Sequence, residues 1–340
     1  MGKEKRIKYS YIILILLLAI NISLSKSFSN SNNIIIYEEY SQISDHINDV
    51  IRVKSNESFG YILKDGTKLI LPKYSMGRDF MSHLAAVENN NKWGYINWKG
   101  EYEIDSVFDE AYSFNSNRAI VSKSGKWYYI NTNGEKAFDI EFNSLIEMRP
   151  FSEGRAVIIK DNKYMYIDQD GNYITDLKFE YANSFQNGYA SVKKSENWGI
   201  INSDGSLIIE PLYEDAQNYY EGLIPVKKDD KWGIIDLNNE KVIDFSYEYI
   251  SNIENGMVSF IEEGKWGYIN LKDSTIIEPQ YLMVGSFSEG LAPVKTSNGW
   301  TYINKNGDNI TNNYFEFASK VHNNIGIIKS NGNWGIIQME

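Results

Sequence analysis

Nine aromatic residues, Phe59, Trp93, Trp127, Tyr164, Trp198, Trp232, Trp266, Trp300 and Trp334, recur along this chain at intervals of 34 residues, with one interval of 37 between Trp127 and Tyr164. A fixed period of this length means that one supersecondary unit is stacked many times, because a unit so small buries its apolar face only against its neighbours. The hexapeptide KWGYIN, at Lys92–Asn97 and again at Lys265–Asn270, is the repeat at its most regular.

Counted from the aromatic residue as position zero, each unit has the same grammar. Position −6 is β-branched or aromatic in every unit, from Val53 and Val87 to Phe260 and Ile328, and position −8 is usually small or aliphatic, which reads as an alternating strand. A second strand carries the aromatic residue, with positions 0 and +2 on one face and +1 and +3 on the other. It ends in Asn or Asp at +4 and, in most units, Gly at +7, which is turn chemistry. A third strand follows at about +9 to +12, as in Ile208-Ile209, often closed by Pro. The connector then repeats aromatic, small and aromatic residues at i, i+3 and i+6 (Phe108-Ala111-Phe114, Phe179-Ala182-Phe185, Tyr213-Ala216-Tyr219), a spacing that predicts a short helical turn. The longer interval falls in the connector at 143–150.

The phase of the array bears on its architecture. Ile34–Ile36 falls where a third strand belongs, and the sequence reaches Glu340 just after a second strand, so the inventory equals nine units cut at an internal point. A ring closes by such a cut. Three strands per unit, a period under 40 residues and nine units rather than four to eight favour instead an all-β, open twisted β-solenoid of three-stranded units, with a closed nine-bladed propeller-like ring as the alternative.

Composition excludes several functions. There is no Cys, which removes disulfides, thiolate metal sites and cysteine nucleophiles. The formal charge is −11, with Lys and Arg interspersed among acids, so the basic footprint of a nucleic-acid partner is missing. At the N-terminus Lys3, Lys5, Arg6 and Lys8 precede the apolar run Tyr11–Leu24, followed by Ser23, Ser25 and Ser27 as small residues. This predicts a signal peptide over 1–25, or alternatively an anchor at 11–24 that would tie the protein to a membrane, then a polar linker at 26–32 and the array at 33–340.

The KWGYIN and KWGIID cores, the I-x-P-x-Y element and the F-x-E-G entry (Phe151–Gly154, Phe287–Gly290) resemble the WG-repeat family of bacterial proteins over residues 33–340. The resemblance implies a β-rich repeat array, often exported, with no assigned catalytic residues. KWYYINTNG at 126–134 is also similar to the aromatic hairpin of bacterial cell-wall-binding repeats, whose repeats are much shorter.

The site reading follows from what departs from the repeat. Phe59 and the seven in-phase tryptophans (Trp93, Trp127, Trp198, Trp232, Trp266, Trp300, Trp334) are expected as core, the alternative being a ladder of platforms for sugar rings. Trp98 sits at +5, inside a turn, where the repeat does not call for it, and is a candidate contact residue. Asp168-Gln169-Asp170-Gly171 imitates a calcium loop, but its Gly falls fourth and Phe179 stands where a bidentate Glu is needed, so an Asx turn is expected. His46, His83 and His322 lie in different units, and no nucleophile, metal or phosphate motif surrounds them. The third and fourth units break the pattern: Gly at +1 becomes Tyr128 and Met165, Trp becomes Tyr164, and the insertion brings Arg149. Tyr128, Arg149, Arg155 and Tyr164 form a candidate partner-binding patch with Trp98. The expectation is an exported, cell-surface, non-enzymatic binding module without cofactor or metal, holding a protein or a neutral glycan; the alternative is a structural spacer or assembly subunit.

Overall fold

The computed structural model describes residues 26–29, 34–44, 50–81 and 83–339; the leader at 1–25 and His46 lie outside them. A regular unit is a four-stranded antiparallel meander. In the fifth unit its strands are Tyr181–Ala182, Tyr189–Lys194, Asn197–Asn202 and Leu207–Tyr213, hydrogen-bonded in that order. The first of these is the connector in which aromatic spacing predicts a helical turn. Ala182 instead pairs with Val192, as Ala111 pairs with Val121 and Ala216 with Val226. Buried connector backbone needs hydrogen-bond partners, and the neighbouring −6 strand supplies them. A single helical turn does form in the insertion, as a 3-10 segment at Leu145–Glu147 capped by the Ser144 hydroxyl, which accepts from Ile146 N.

Glycine at +1 decides how the last two strands of a unit meet. Their register shifts by a bulge between positions 0 and +2. The bulge drives the outer strand's carbonyl onto the +1 Cα: a Cβ at Gly94 would lie 2.7 Å from Ile104 O, one at Gly60 2.6 Å from Ile70 O, and one at Gly335 2.5 Å from Ile35 O. Only glycine fits there. In the third, fourth and eighth units that position holds Tyr128, Met165 and Thr301, and these units have no fourth strand in their sheets. The outer segment then touches the third strand at its two ends alone, through the bridges Trp127–Phe142 and Ile130–Lys136, Tyr164–Phe179 and Ile167–Tyr173, and Trp300–Phe315 and Ile303–Asn309. Between these bridges it bows over the +1 side chain.

Closure follows from pairing and from packing. Ile34–Tyr37 pairs antiparallel with Asn333–Gln338, with Ile35 opposite Ile336 and Tyr37 opposite Trp334, so the first long strand completes the ninth sheet; Lys26–Ser29 extends that sheet by one more strand. Each unit packs the face bearing positions 0 and +2 against the next unit's +3 and −6 face, and there are nine such clusters for nine sheets. An open stack of nine would have eight. The ninth joins Ile325, Ile327 and Ile336 of the last sheet to Ile43, Ile51, Val53 and Ile62 of the first, and the Trp334 indole N–H donates to Ser41 O at 3.1 Å across the same seam. The all-β tandem array holds as expected from sequence, while the choice between solenoid and ring goes to the alternative: a closed ring of nine blades. Thirty-four residues suffice for a four-stranded blade because its first strand is only two residues long.

The segment after each first strand lies nearest the axis. Glu254 of the seventh blade pairs with Lys320 of the ninth, across the eighth, and also accepts from Ser286 Oγ at 3.0 Å. Contacts between blades two apart are possible only where the blades converge.

Candidate functional site

The residue that fills the layer is the one at +2, a tyrosine in six blades and Ile200, Ile234 or Ile336 in the other three. Tyr61, Tyr95, Tyr129, Tyr166, Tyr268 and Tyr302 are fully buried. Five of them donate their hydroxyls to the carbonyl 17 residues on, at Arg78, Tyr112, Asn183, Gly285 and Ser319, at 2.6–2.8 Å. Tyr129 reaches Arg149 O at 2.7 Å, 20 residues on, because the insertion intervenes. Where +2 is Ile200, its cross-strand partner Ser191 donates to the equivalent carbonyl, Gln217 O, at 2.5 Å. Burial raises the hydroxyl pKa of Tyr61, Tyr95, Tyr129, Tyr166 and Tyr268 far above the ordinary range, so these five stay neutral donors.

The tryptophans sit instead at the rim of each layer. Trp93 and Trp232 are buried, as is Phe59, but Trp127, Trp198, Trp266, Trp300 and Trp334 are half-buried, their inner edges packed on the core clusters. The expectation that all of them are core is corrected to that extent. A first-strand aromatic lies beside several of them: Tyr181 is 4.9 Å from Tyr164 and 5.6 Å from Trp198, Tyr249 is 5.5 Å from Trp232 and 5.8 Å from Trp266, and Phe317 is 5.5 Å from Trp334.

The predicted patch is not brought together. Arg155 and Tyr164 stand at opposite ends of one hairpin. Arg155 donates from Nε to Ser203 O at 3.0 Å and from Nη1 to Glu153 O at 3.1 Å, tying the fourth blade to the fifth, and Arg149 donates to Met148 O at 3.2 Å. Both guanidinium groups are committed to backbone carbonyls. Trp98 is exposed at its turn, 5.6 Å from the His83 ring and 6.5 Å from Phe80. Asp168 Oδ1 accepts from Asp170 N at 2.9 Å and Asn172 N at 2.8 Å, the Asx turn read from sequence.

Tyr128 and Tyr164 do mark something real, the bowed blades. Beside the third-blade bow (Ile140, Phe142) and the adjoining hairpin (Lys160, Asn162) lies a cleft of about 570 Å³, which Tyr173 also lines. At the eighth blade a second cleft of about 510 Å³ opens between Tyr314, Phe315 and Leu282 and the hairpins at Lys295–Asn298 and Ser330–Asn331. Thr301 lies under that bow, its hydroxyl bonded to Asn309 Oδ1 at 2.9 Å and Thr311 Oγ1 at 2.8 Å. Leu282 and Tyr314 at this cleft are 45% and 46% exposed, and Met283, next to Leu282 in the chain, is 50% exposed. Sequence reading missed this cleft, although Thr301 breaks the +1 rule in plain view. Apolar side chains, amides and carboxylates line both clefts, with Glu141, Glu147, Asp161 and Lys160 in the first and Glu316 and Lys295 in the second.

The family model for the WG containing repeat matches residues 59–93, 93–127, 129–164, 164–198, 198–232, 232–266 and 266–300. The chain belongs to this WG-repeat family. No match is found among curated protein sequences. Among solved structures this WG-repeat chain is similar to the crystal structure of a eukaryotic initiation factor, at a TM-score of 0.59 and 12% identity over 85% of this chain and 93% of that one, a likeness of fold alone. Weaker likenesses are Kluyveromyces lactis Hsv2p (TM-score 0.38, 10% identity, 72% and 96% covered) and the extracellular domain of a putative one-component system, BT4673, from B. thetaiotaomicron (TM-score 0.35, 11% identity, 91% and 57% covered).

Proposed function

We propose that this WG-repeat ring is an exported, non-enzymatic binding module that holds a protein partner against its bowed eighth blade. The observation that carries the reading is the second cleft: replacing glycine by Thr301 lifts the outer segment, and Leu282 and Tyr314 stand exposed at the opening, with exposed Met283 following Leu282 in the chain. Contiguous exposed apolar side chains of this size mark interaction sites. Export is supported by the basic residues Lys3–Lys8 followed by the apolar run Tyr11–Leu24. A spacer whose length is its function is not favoured, because a closed ring has no free length to extend.

The test is site-specific photo-crosslinking in the producing cells, with the reactive group at position 314 and a control at position 208 on the outer strand of the fifth blade. A discrete protein adduct from 314 but not from 208, abolished by Leu282→Ser with Met283→Ser, is the expected outcome. Equal labelling from both positions, or from neither, would overturn the reading. A neutral glycan is the second reading, favoured by the Tyr164–Tyr181–Trp198 row; glycan-array binding lost on Trp198→Ala would select it.

A further inference from the structure

The turn that joins the first two strands of a blade is a carboxylate receptor, and the chain itself demonstrates this twice. Its two central residues both have positive φ, as at Asn187 (50°) and Gly188 (82°) or Asn323 (52°) and Asn324 (61°). Successive backbone N–H groups then converge into an anion-binding nest. Glu153, one blade earlier, places Oε1 2.6 Å from Asn187 N and Oε2 2.8 Å from Gly188 N. Glu289 does the same to Asn323 N at 2.8 Å and Asn324 N at 2.7 Å.

The residue that supplies the carboxylate alternates around this part of the ring: Glu153, Asn187, Glu221, Asn255, Glu289, Asn323. Every second nest is therefore offered a shorter amide. At the eighth blade the nest is Glu289 (φ 53°) and Gly290 (83°), and the residue before it in the series is Asn255, whose Nδ2 donates to Phe287 O at 2.7 Å. Among the described residues no side chain or carbonyl accepts from Glu289 N or Gly290 N.

This nest borders a cleft of about 760 Å³ running between the turns of the sixth, seventh and eighth blades, on the ends of the blades opposite to the hairpins that line the Tyr314 cleft. Asn255 and Gly256 form its facing edge, which is the side toward which the two occupied nests present their amides. Lys305 stands beside it, with Nζ 3.3 Å from Asn255 O, and the floor is apolar, from buried Ile253 and from Leu271. Glu221 and Asp273 on the rim, and the net charge of −11, disfavour polyanions.

We propose that the cleft captures the free C-terminal carboxylate of a peptide with an apolar last residue: the carboxylate on the Glu289 and Gly290 amides and Lys305, the side chain against Ile253 and Leu271. Backbone nests are an established means of holding a chain terminus. The proposal rests on the reading of the ring as a binding module but uses a different cleft and a different probe, so either can fail alone.

The experiment is calorimetric titration of the whole chain with acetyl-Ala-Ala-Leu as free acid, as C-terminal amide, and with an acetyl-Ala-Asp-Ala amide that carries its carboxylate on a side chain. Binding of the free acid, at least tenfold weaker for both amides, is expected. Asn255→Glu would supply the carboxylate that Glu153 supplies elsewhere, fill the nest from within and weaken the free acid at least tenfold, whereas Asn187→Glu, two nests back, leaves it unchanged. Both variants place a side chain that the repeat already tolerates, and Leu282→Ser with Met283→Ser leaves this affinity intact. No heat from the free acid at millimolar concentration, equal binding of acid and amide, equal binding of the side-chain carboxylate, or indifference to Asn255→Glu would each overturn the proposal.

Discussion

In most blades the two residues that follow the tryptophan, at +1 and +2, share with it the work of building the layer. The +2 tyrosine fills the layer and tethers the next blade by its hydroxyl; the +1 glycine admits the outer strand. Tyr95→Phe leaves Tyr112 O buried without its donor and is expected to cost about 1–3 kcal/mol in denaturant unfolding, with the fold retained. Gly199→Ala puts a methyl group against the backbone of Ile209–Pro211 and is expected to cost about 1–3 kcal/mol by overpacking, or to lift the fifth blade's outer strand into the bowed form, which amide exchange of Leu207–Tyr213 would report. Thr301→Gly runs the other way: the eighth outer segment gains protection and the Tyr314 cleft narrows.

At the scale of the strand and its turns, acidic side chains cap hairpins at the same place in several blades. Glu180 accepts from Ser195 N at 3.1 Å and Glu196 N at 3.0 Å, and Glu316 accepts from Gly332 N at 2.8 Å. The N–H of Glu196 leads in holding the Glu180 carboxyl below its ordinary value of 4.5. Because the folded value is the lower one, this stabilisation is complete above the unfolded value and disappears as pH falls through the folded one. Melting of the ring should therefore decline below about pH 4.5, and Glu180→Gln should flatten that decline at its foot while lowering stability at pH 7. The long strands, the Asx turns and the bulge glycine could be read from sequence because each has a period or a residue type of its own. The first strand could not, since two residues are too short for alternation to register and its flanking aromatics mimic a helical spacing. The site was half legible: Tyr128 and Met165 flagged a bowed blade by breaking the +1 rule, and Thr301 carried the same signal. Arg149 and Arg155 misled because their partners are backbone carbonyls, one of them in another unit, which spacing along the chain does not reveal.

The whole molecule is a cycle of nine interfaces, and its seam is the least covalent of them. Removing residues 26–38 would take away the strand that completes the ninth sheet and bare the Trp334 strand edge. Such an edge invites pairing with another chain. A lower melting temperature and concentration-dependent association by light scattering are expected, with the strand peptide Ile34–Tyr37 restoring the monomer when added in excess. The phase of the array, an outer strand first and an aromatic strand last, already contained this seam; what concealed it was the low strand count, which made a ring of blades look too thin to close.

The seam also frees the order of the chain from its architecture. Gln338 and Ile34 occupy the places that Asn202 and Leu207 occupy across the Asx turn of the fifth blade, so the gap between them is a missing hairpin loop. Joining them with a loop of that length, and opening the chain at the fifth-blade turn instead, would give a circular permutant with the same nine sheets and the same nine contacts. The order of the blades along the chain is thus separable from the ring they form.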